Sequence, residues 1–136
     1  MRLDELALAA RGRLTGGHTG TLIHSVSTDT RTLRAGELFV ALVGDRFDGH
    51  GFVAQAFAKH AAAAVVAASD RLPKKPGGPM IVVEETTKAL QDIAAANRSR
   101  CSAMVVAVTG SNGKTTTKEF IATLAAPNFE TVKSEG

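Results

Sequence analysis

The stretch that decides the fold is Ala103-Met104-Val105-Val106-Ala107-Val108-Thr109-Gly110-Ser111-Asn112-Gly113-Lys114-Thr115-Thr116-Thr117. The apolar run Ala103 to Val108 predicts a buried strand, and the pattern from Lys118 to Ala125 predicts a helix. Strand, glycine loop and helix in that order are the setting of a phosphate-binding loop. Glycines let successive backbone N–H groups turn inward around an anion, and a helix N-terminus adds partial positive charge. On this reading the cradle is built by Gly110, Ser111, Asn112, Gly113, Lys114, Thr115 and Thr116. Lys114 brings a full charge to the β- and γ-phosphates of a nucleotide. Thr115 offers a hydroxyl to Mg²⁺, a hard cation that favours oxygen. Val108 stands where the common pattern has its first glycine. A glycine turn with a surface lysine is the bland alternative. Against it, three consecutive threonines at a helix start are unfavourable unless their hydroxyls are used.

Outward from this loop, the chain alternates strand and helix. Thr86 or Thr87 can cap a helix running to about Ser99, preceded by a strand from Met80 to Glu84. Three prolines lie within Arg71 to Pro79, which reads as an exposed loop. Ala63 to Ala67 and Glu37 to Val43 are short, nearly all apolar and strand-like. Phe52, Ala56 and Phe57 have helical spacing within 52–60. Leu22 to Asp29 is a further strand, residues 15–21 and 44–51 are loops, and Leu3, Leu6, Ala7 and Ala10 share one face of a first helix that Gly12 ends. The pattern is α/β: a small N-terminal α/β domain over residues 1–84, then over 85–136 the beginning of a P-loop domain with a parallel sheet.

Composition excludes several function classes. At 136 residues, with 44% hydrophobic and 21% charged residues, the chain can bury a core and is not disordered. A net charge of +3 and the absence of Trp and Tyr argue against a nucleic-acid partner. No run approaches the roughly eighteen apolar residues of a membrane span, and the N-terminus does not read as a signal peptide. One cysteine, Cys101, excludes an internal disulfide and fits a reducing compartment.

The run Val108 to Glu119 resembles the ATP loop of the Mur ligase family, in which a non-glycine at the position of Val108 is normal. Ser27-Thr28-Asp29-Thr30-Arg31, Gly36 to Leu42, and Gly44-Asp45-Arg46-Phe47-Asp48-Gly49-His50-Gly51-Phe52 resemble the family's N-terminal UDP-sugar-binding domain. The pair Lys118-Glu119 and the run Arg46 to His50 are similar to members that add D-alanyl-D-alanine. The resemblance implies a cytoplasmic ligase of peptidoglycan synthesis that uses ATP and Mg²⁺. Its substrates would be UDP-N-acetylmuramoyl-tripeptide and D-Ala-D-Ala. It implies catalysis through Lys114, and substrate contacts from Thr30, Arg31, Arg46, Phe47, Asp48 and His50. Thr30 and loop amides would meet a uracil edge, Phe47 a ring and Arg46 a diphosphate. A self-bonded Asp29-Thr30-Arg31 turn and a structural His50 remain the alternatives. The chain is shorter than such ligases, so it reads as an N-terminal fragment. By itself it would be inactive, or a UDP-sugar-binding module. The ligase that adds the third residue is the other family reading. A GTPase or kinase is disfavoured, because no Asn-Lys-x-Asp run occurs. His18, His24 and His60 show no metal spacing, Cys101 has no histidine partner, and Glu84-Glu85 suit a helix dipole.

Overall fold

The computed structural model describes residues 1–44, 47–68 and 77–134. They divide into two compact units, one from Met1 to Cys101 and one from Ser102 onward. The first unit opens with α1 (Leu3–Ala9) and β1 (Arg13–Thr15), then β2 (Val26–Ser27), β3 (Leu38–Val40), β4 (Val43–Gly44) and β5 (Phe47–Asp48). A 3-10 turn (Gly49–Phe52), α2 (Val53–Ala58), β6 (Ala63–Ala67), β7 (Met80–Val83) and α3 (Thr86–Ser99) complete it. The main sheet has the order β1-β7-β6-β3-β2. Strands β2, β3, β6 and β7 are parallel, and β1 runs antiparallel along β7.

Alternation along the strands divides the core in two. Leu38, Val40, Ala63, Val65, Ile81 and Val83 meet Leu3, Leu6 and Ala7 of α1 and Ala89 and Ile93 of α3. Phe39, Ala64, Val66 and Met80 point the other way, onto Val53 and Ala56 of α2. Strands covered on both faces read as unbroken apolar runs, as β3 and β6 do. Burying a side chain such as Phe39 contributes about 1.5–3 kcal/mol, more than the roughly 1 kcal/mol of a helix cap. Packing of β3 and α2 therefore sets where the loops beyond them lie.

Several expectations are corrected. The boundary expected near residue 84 falls inside the first unit, because α3 contributes Ala89 and Ile93 to its core. The cap of α3 is Glu85, not a threonine: its carboxylate accepts from Thr87 N at 2.7 Å and Lys88 N at 3.0 Å. Two oxygens satisfy two orphan donors, and the charge suits the dipole. The strand expected over 22–29 shortens to Val26–Ser27, since Ile23 bonds Met1 instead. The loop expected over 44–51 contains strand residues and the 3-10 turn. β1 was not anticipated. Most of the proline loop, residues 71–76, lies outside the described residues.

In the second unit, Ala103 to Val108 does not form the expected buried strand. Met104, Val105 and Val106 are 86%, 64% and 59% exposed. A strand is held by its ladder partner, and among the described residues this segment is part of neither sheet. Helix α4 (Lys114–Ala125) begins at the loop itself rather than at Lys118. The segment after it turns back, with Lys118 Nζ donating to Ser134 O at 2.6 Å and Lys133 paired with Glu119.

Candidate functional site

Two features with chemical potential are present, one in each unit. In the first unit a cleft of about 700 Å³ opens beyond the C-terminal ends of β2 and β3, the usual place for ligands in parallel α/β sheets. One wall is the turn Thr28 to Arg31; the other carries Leu42, Val43, Gly44, Phe47 and Phe52. Phe39 and Thr87 also face it.

The Thr28–Arg31 wall is self-braced. Arg31 donates from Nη2 to Asp29 Oδ2 at 2.6 Å and from its backbone N to Oδ1 at 2.8 Å. These hydrogen bonds hold the Asp29 carboxyl down at about 2, from an ordinary 3.8. Thr30 is 6% exposed, and its hydroxyl donates to Gln55 Oε1 at 2.9 Å. The turn is thus the self-bonded form, and it still lines the cleft.

The opposite wall is fastened at three points. Gly49 donates to Leu42 O at 2.8 Å. A Cβ on Gly49 would lie 2.8 Å from Ala41 Cα and 2.7 Å from Leu42 O, so only glycine permits this approach. Asp48 caps the 3-10 turn through His50 N at 3.0 Å, and its Oδ1 lies 2.6 Å from His50 Nδ1. His50 Nε2 accepts from Ala67 N at 2.9 Å, so the proton sits on Nδ1 and is shared with Asp48. The His50 side chain is only 7% exposed. His50, expected as a ligand contact, therefore serves as a strut between the loop and the end of β6. Phe47 and Phe52 stack, with centroids 5.4 Å apart and planes 18° from parallel, and both remain partly exposed. Together they form an aromatic ledge at the cleft. Arg46 lies outside the described residues.

In the second unit, two glycines of the loop before α4 have positive φ. Gly110 (φ +148°) and Gly113 (φ +77°) take conformations that L side chains rarely adopt. No amide from Gly110 to Thr116 donates to a carbonyl among the described residues; the first such bond is Thr117 N to Gly113 O at 2.9 Å. Lys114 folds back over the loop, its ammonium on the Gly110 carbonyl. Unpaired amides at the start of α4, with a cation lying across them, fit a polyphosphate. The hydroxyls of Thr115 and Thr116 make no hydrogen bond with another described residue.

The description that matches this sequence is that of the Mur ligase family, catalytic domain, over residues 22–98. The chain belongs to the Mur ligase family. It is similar to the UDP-N-acetylmuramoyl-tripeptide–D-alanyl-D-alanine ligase of Bacillus subtilis, 44% identical over 117 residues, which are 85% of this chain and 25% of that protein. In structure it is similar to MurF from Acinetobacter baumannii, with a TM-score of 0.86 and 32% identity over 99% of this chain and 29% of the other. A MurF ligase from Thermotoga maritima in complex with ADP matches with a TM-score of 0.69 and 32% identity, over 88% of this chain and 27% of that one. The chain spans about a quarter of the length of the curated relatives it matches. No helix among the described residues is long and apolar enough to cross a membrane.

Of the residues expected from the sequence, Thr30, Arg31 and Phe47 line the cleft, whereas Asp48 and His50 are not among its lining residues. The sequence reading does not include Phe52 as the stacking partner of Phe47, nor Gln55 and Lys59 behind the Thr30 wall. Gln55 and Lys59 carry one signal, their spacing of one helical turn.

Proposed function

We propose that this chain is the substrate-binding and phosphate-binding portion of a cytoplasmic ATP-dependent ligase that joins D-Ala-D-Ala to UDP-N-acetylmuramoyl-tripeptide in peptidoglycan synthesis. The observation that carries the reading is the run of amides between Gly110 and Thr116 without carbonyl partners among the described residues, with the Lys114 ammonium on the Gly110 carbonyl. The names of the similar ligases supply the substrate class.

On this reading the cleft of the first unit takes the UDP end of the substrate. The Phe47–Phe52 ledge offers a flat apolar surface for a ring, and the Thr28–Arg31 wall offers polar backbone. Asp48 and His50 hold the ledge rather than touch the ligand. In the second unit, amides from Gly110, Ser111, Asn112, Gly113, Lys114, Thr115 and Thr116 hold the phosphates of ATP. Mg²⁺ would be held by Thr115 and by phosphate oxygens, where it supplies charge neutralisation.

The reaction has two steps. The γ-phosphoryl group passes from ATP to a carboxylate oxygen of the tripeptide, giving an acyl phosphate and ADP. The amine of D-Ala-D-Ala then attacks the acyl carbon. An amide bond forms, phosphate leaves with the C–O bond electrons, and the amine loses a proton. Lys114 neutralises charge that spreads over the transferring group, so its contribution is largest in the transition state.

The test uses a ligase carrying this sequence at its N-terminal end, with phosphate release as the readout. Release is expected with UDP-N-acetylmuramoyl-tripeptide, Mg·ATP and D-Ala-D-Ala. Lys114→Ala is expected to lower the rate by about two orders of magnitude or more. Release with UDP-N-acetylmuramoyl-dipeptide and diaminopimelate or lysine, and none with the tripeptide and D-Ala-D-Ala, would overturn the acceptor assignment. An undiminished Lys114→Ala rate would overturn the role of the loop.

A second reading, a UDP-sugar-binding module without catalysis, is favoured for the isolated chain by the exposure of Met104, Val105 and Val106. Calorimetry that shows UDP binding without Mg·ATP binding supports it.

A further inference from the structure

Behind the Thr28–Arg31 wall lies a support that the cleft lining does not include. Thr30 is held from two sides by one helix: its hydroxyl donates to Gln55 Oε1 at 2.9 Å, and its carbonyl accepts from Lys59 Nζ at 2.6 Å. Gln55 lies in α2 and Lys59 is its C-terminal cap, with Lys59 N donating to Gln55 O at 3.1 Å, so both side chains leave the same face. Helix α2 is itself fixed by Val53 and Ala56 against Phe39, Ala64 and Val66.

From this geometry we infer that Gln55 and Lys59 are positioning residues, which transmit the placement of α2 to the peptide planes around Thr30 and so set the wall that meets the ligand. The inference rests on the reading of the cleft as a UDP site. Both side chains are exposed. Contacts made by exposed polar side chains add little to stability. What these two contacts fix is local: the hydroxyl bond sets the Thr30 rotamer, and the carbonyl bond sets the direction of the peptide that carries the Arg31 N–H. Arg31 N–H in turn bonds Asp29 Oδ1, so the whole turn takes its orientation from α2. Without the pair, the turn keeps its own Asp29–Arg31 brace but loses its fixed relation to the Phe47–Phe52 ledge across the cleft.

The experiment is calorimetric titration of the 136-residue chain with UDP, alongside thermal melting. Lys59→Met is expected to weaken UDP binding about tenfold with the melting temperature kept within about 2 °C; Gln55→Leu is expected to weaken it as much and, by leaving the buried Thr30 hydroxyl without its acceptor, also to lower the melting temperature by several degrees. Gln55→Glu keeps the acceptor and Lys59→Arg keeps the donor, and each is expected to return affinity to within about threefold of the parent. Parent-like affinity in Gln55→Leu and Lys59→Met overturns this inference and leaves the cleft reading intact. Affinity that falls only in step with melting temperature, without rescue by the conservative pair, also overturns it, because that is a purely structural role. A parent chain that binds no UDP overturns the cleft reading and this inference with it.

Discussion

At the scale of single residues, the cleft is defined by side chains that bond to the protein itself. Asp29 shows this in its acidity. The Arg31 hydrogen bonds stabilise the carboxylate, so its folded value falls to about 2. A depressed carboxylate contributes its stabilisation fully above its ordinary value, and loses it as pH falls through the folded one. The turn should therefore persist at pH 3 and come apart as pH approaches 2, followed by the carboxyl carbon shift of Asp29 in an NMR titration. A midpoint near 3.8 would mean that the brace is absent in solution. Local spacing pointed to Asp29, Thr30 and Arg31, which line the cleft, and singled out Lys114 among its glycines as a candidate. It was not enough for His50. That ring is committed to the Ala67 amide, 17 positions away in sequence, and nothing near His50 in the chain announces a donor at that distance. Thr30 has the same character: its hydroxyl partner Gln55 is 25 positions away.

At the scale of elements, apolar runs were the clearest signal. β6 occupies Ala63–Ala67 and β7 Met80–Val83, as their patterns imply, because strands covered on both faces need little else to identify them. The first helix was equally readable from Leu3, Leu6, Ala7 and Ala10, all of which are buried. Short edges were not readable. β1 has three residues and no alternation to detect, and its existence depends on β7 lying open beside it. Choice of cap was a competition between neighbours, in which Glu85 prevails over Thr86 because Thr86 is buried, at 2% exposure. Glu85→Ala should cost the first unit about 1 kcal/mol, measured as a lower urea midpoint with an unchanged slope. An unchanged midpoint would show that packing of Ala89 and Ile93 alone sustains the helix.

At the scale of the whole molecule, the two units differ in how they bury apolar surface. The first has cores on both faces of its sheet. The second leaves Met104, Val105, Val106, Phe120, Leu124 and Phe129 more than half exposed. The apolar run before the glycine loop led to a strand on paper, because periodicity reports a preference and a ladder needs a neighbour. A chain ending at Cys101 should keep the melting transition of the first unit within about 2 °C. It should also lose most of the fluorescence of a dye that reports exposed apolar surface. Retention of that fluorescence would place the exposed apolar surface in the first unit instead. The antiparallel pairing of β1 with β7 has a consequence of its own. Thr15 meets Met80 across 65 positions of sequence, so during synthesis the amino-terminal ribbon, although made first, waits for Met80–Val83 to emerge from the ribosome before it gains a neighbour. The first unit accordingly closes late and as a whole, and a nascent chain stopped short of β7 carries that ribbon unpaired.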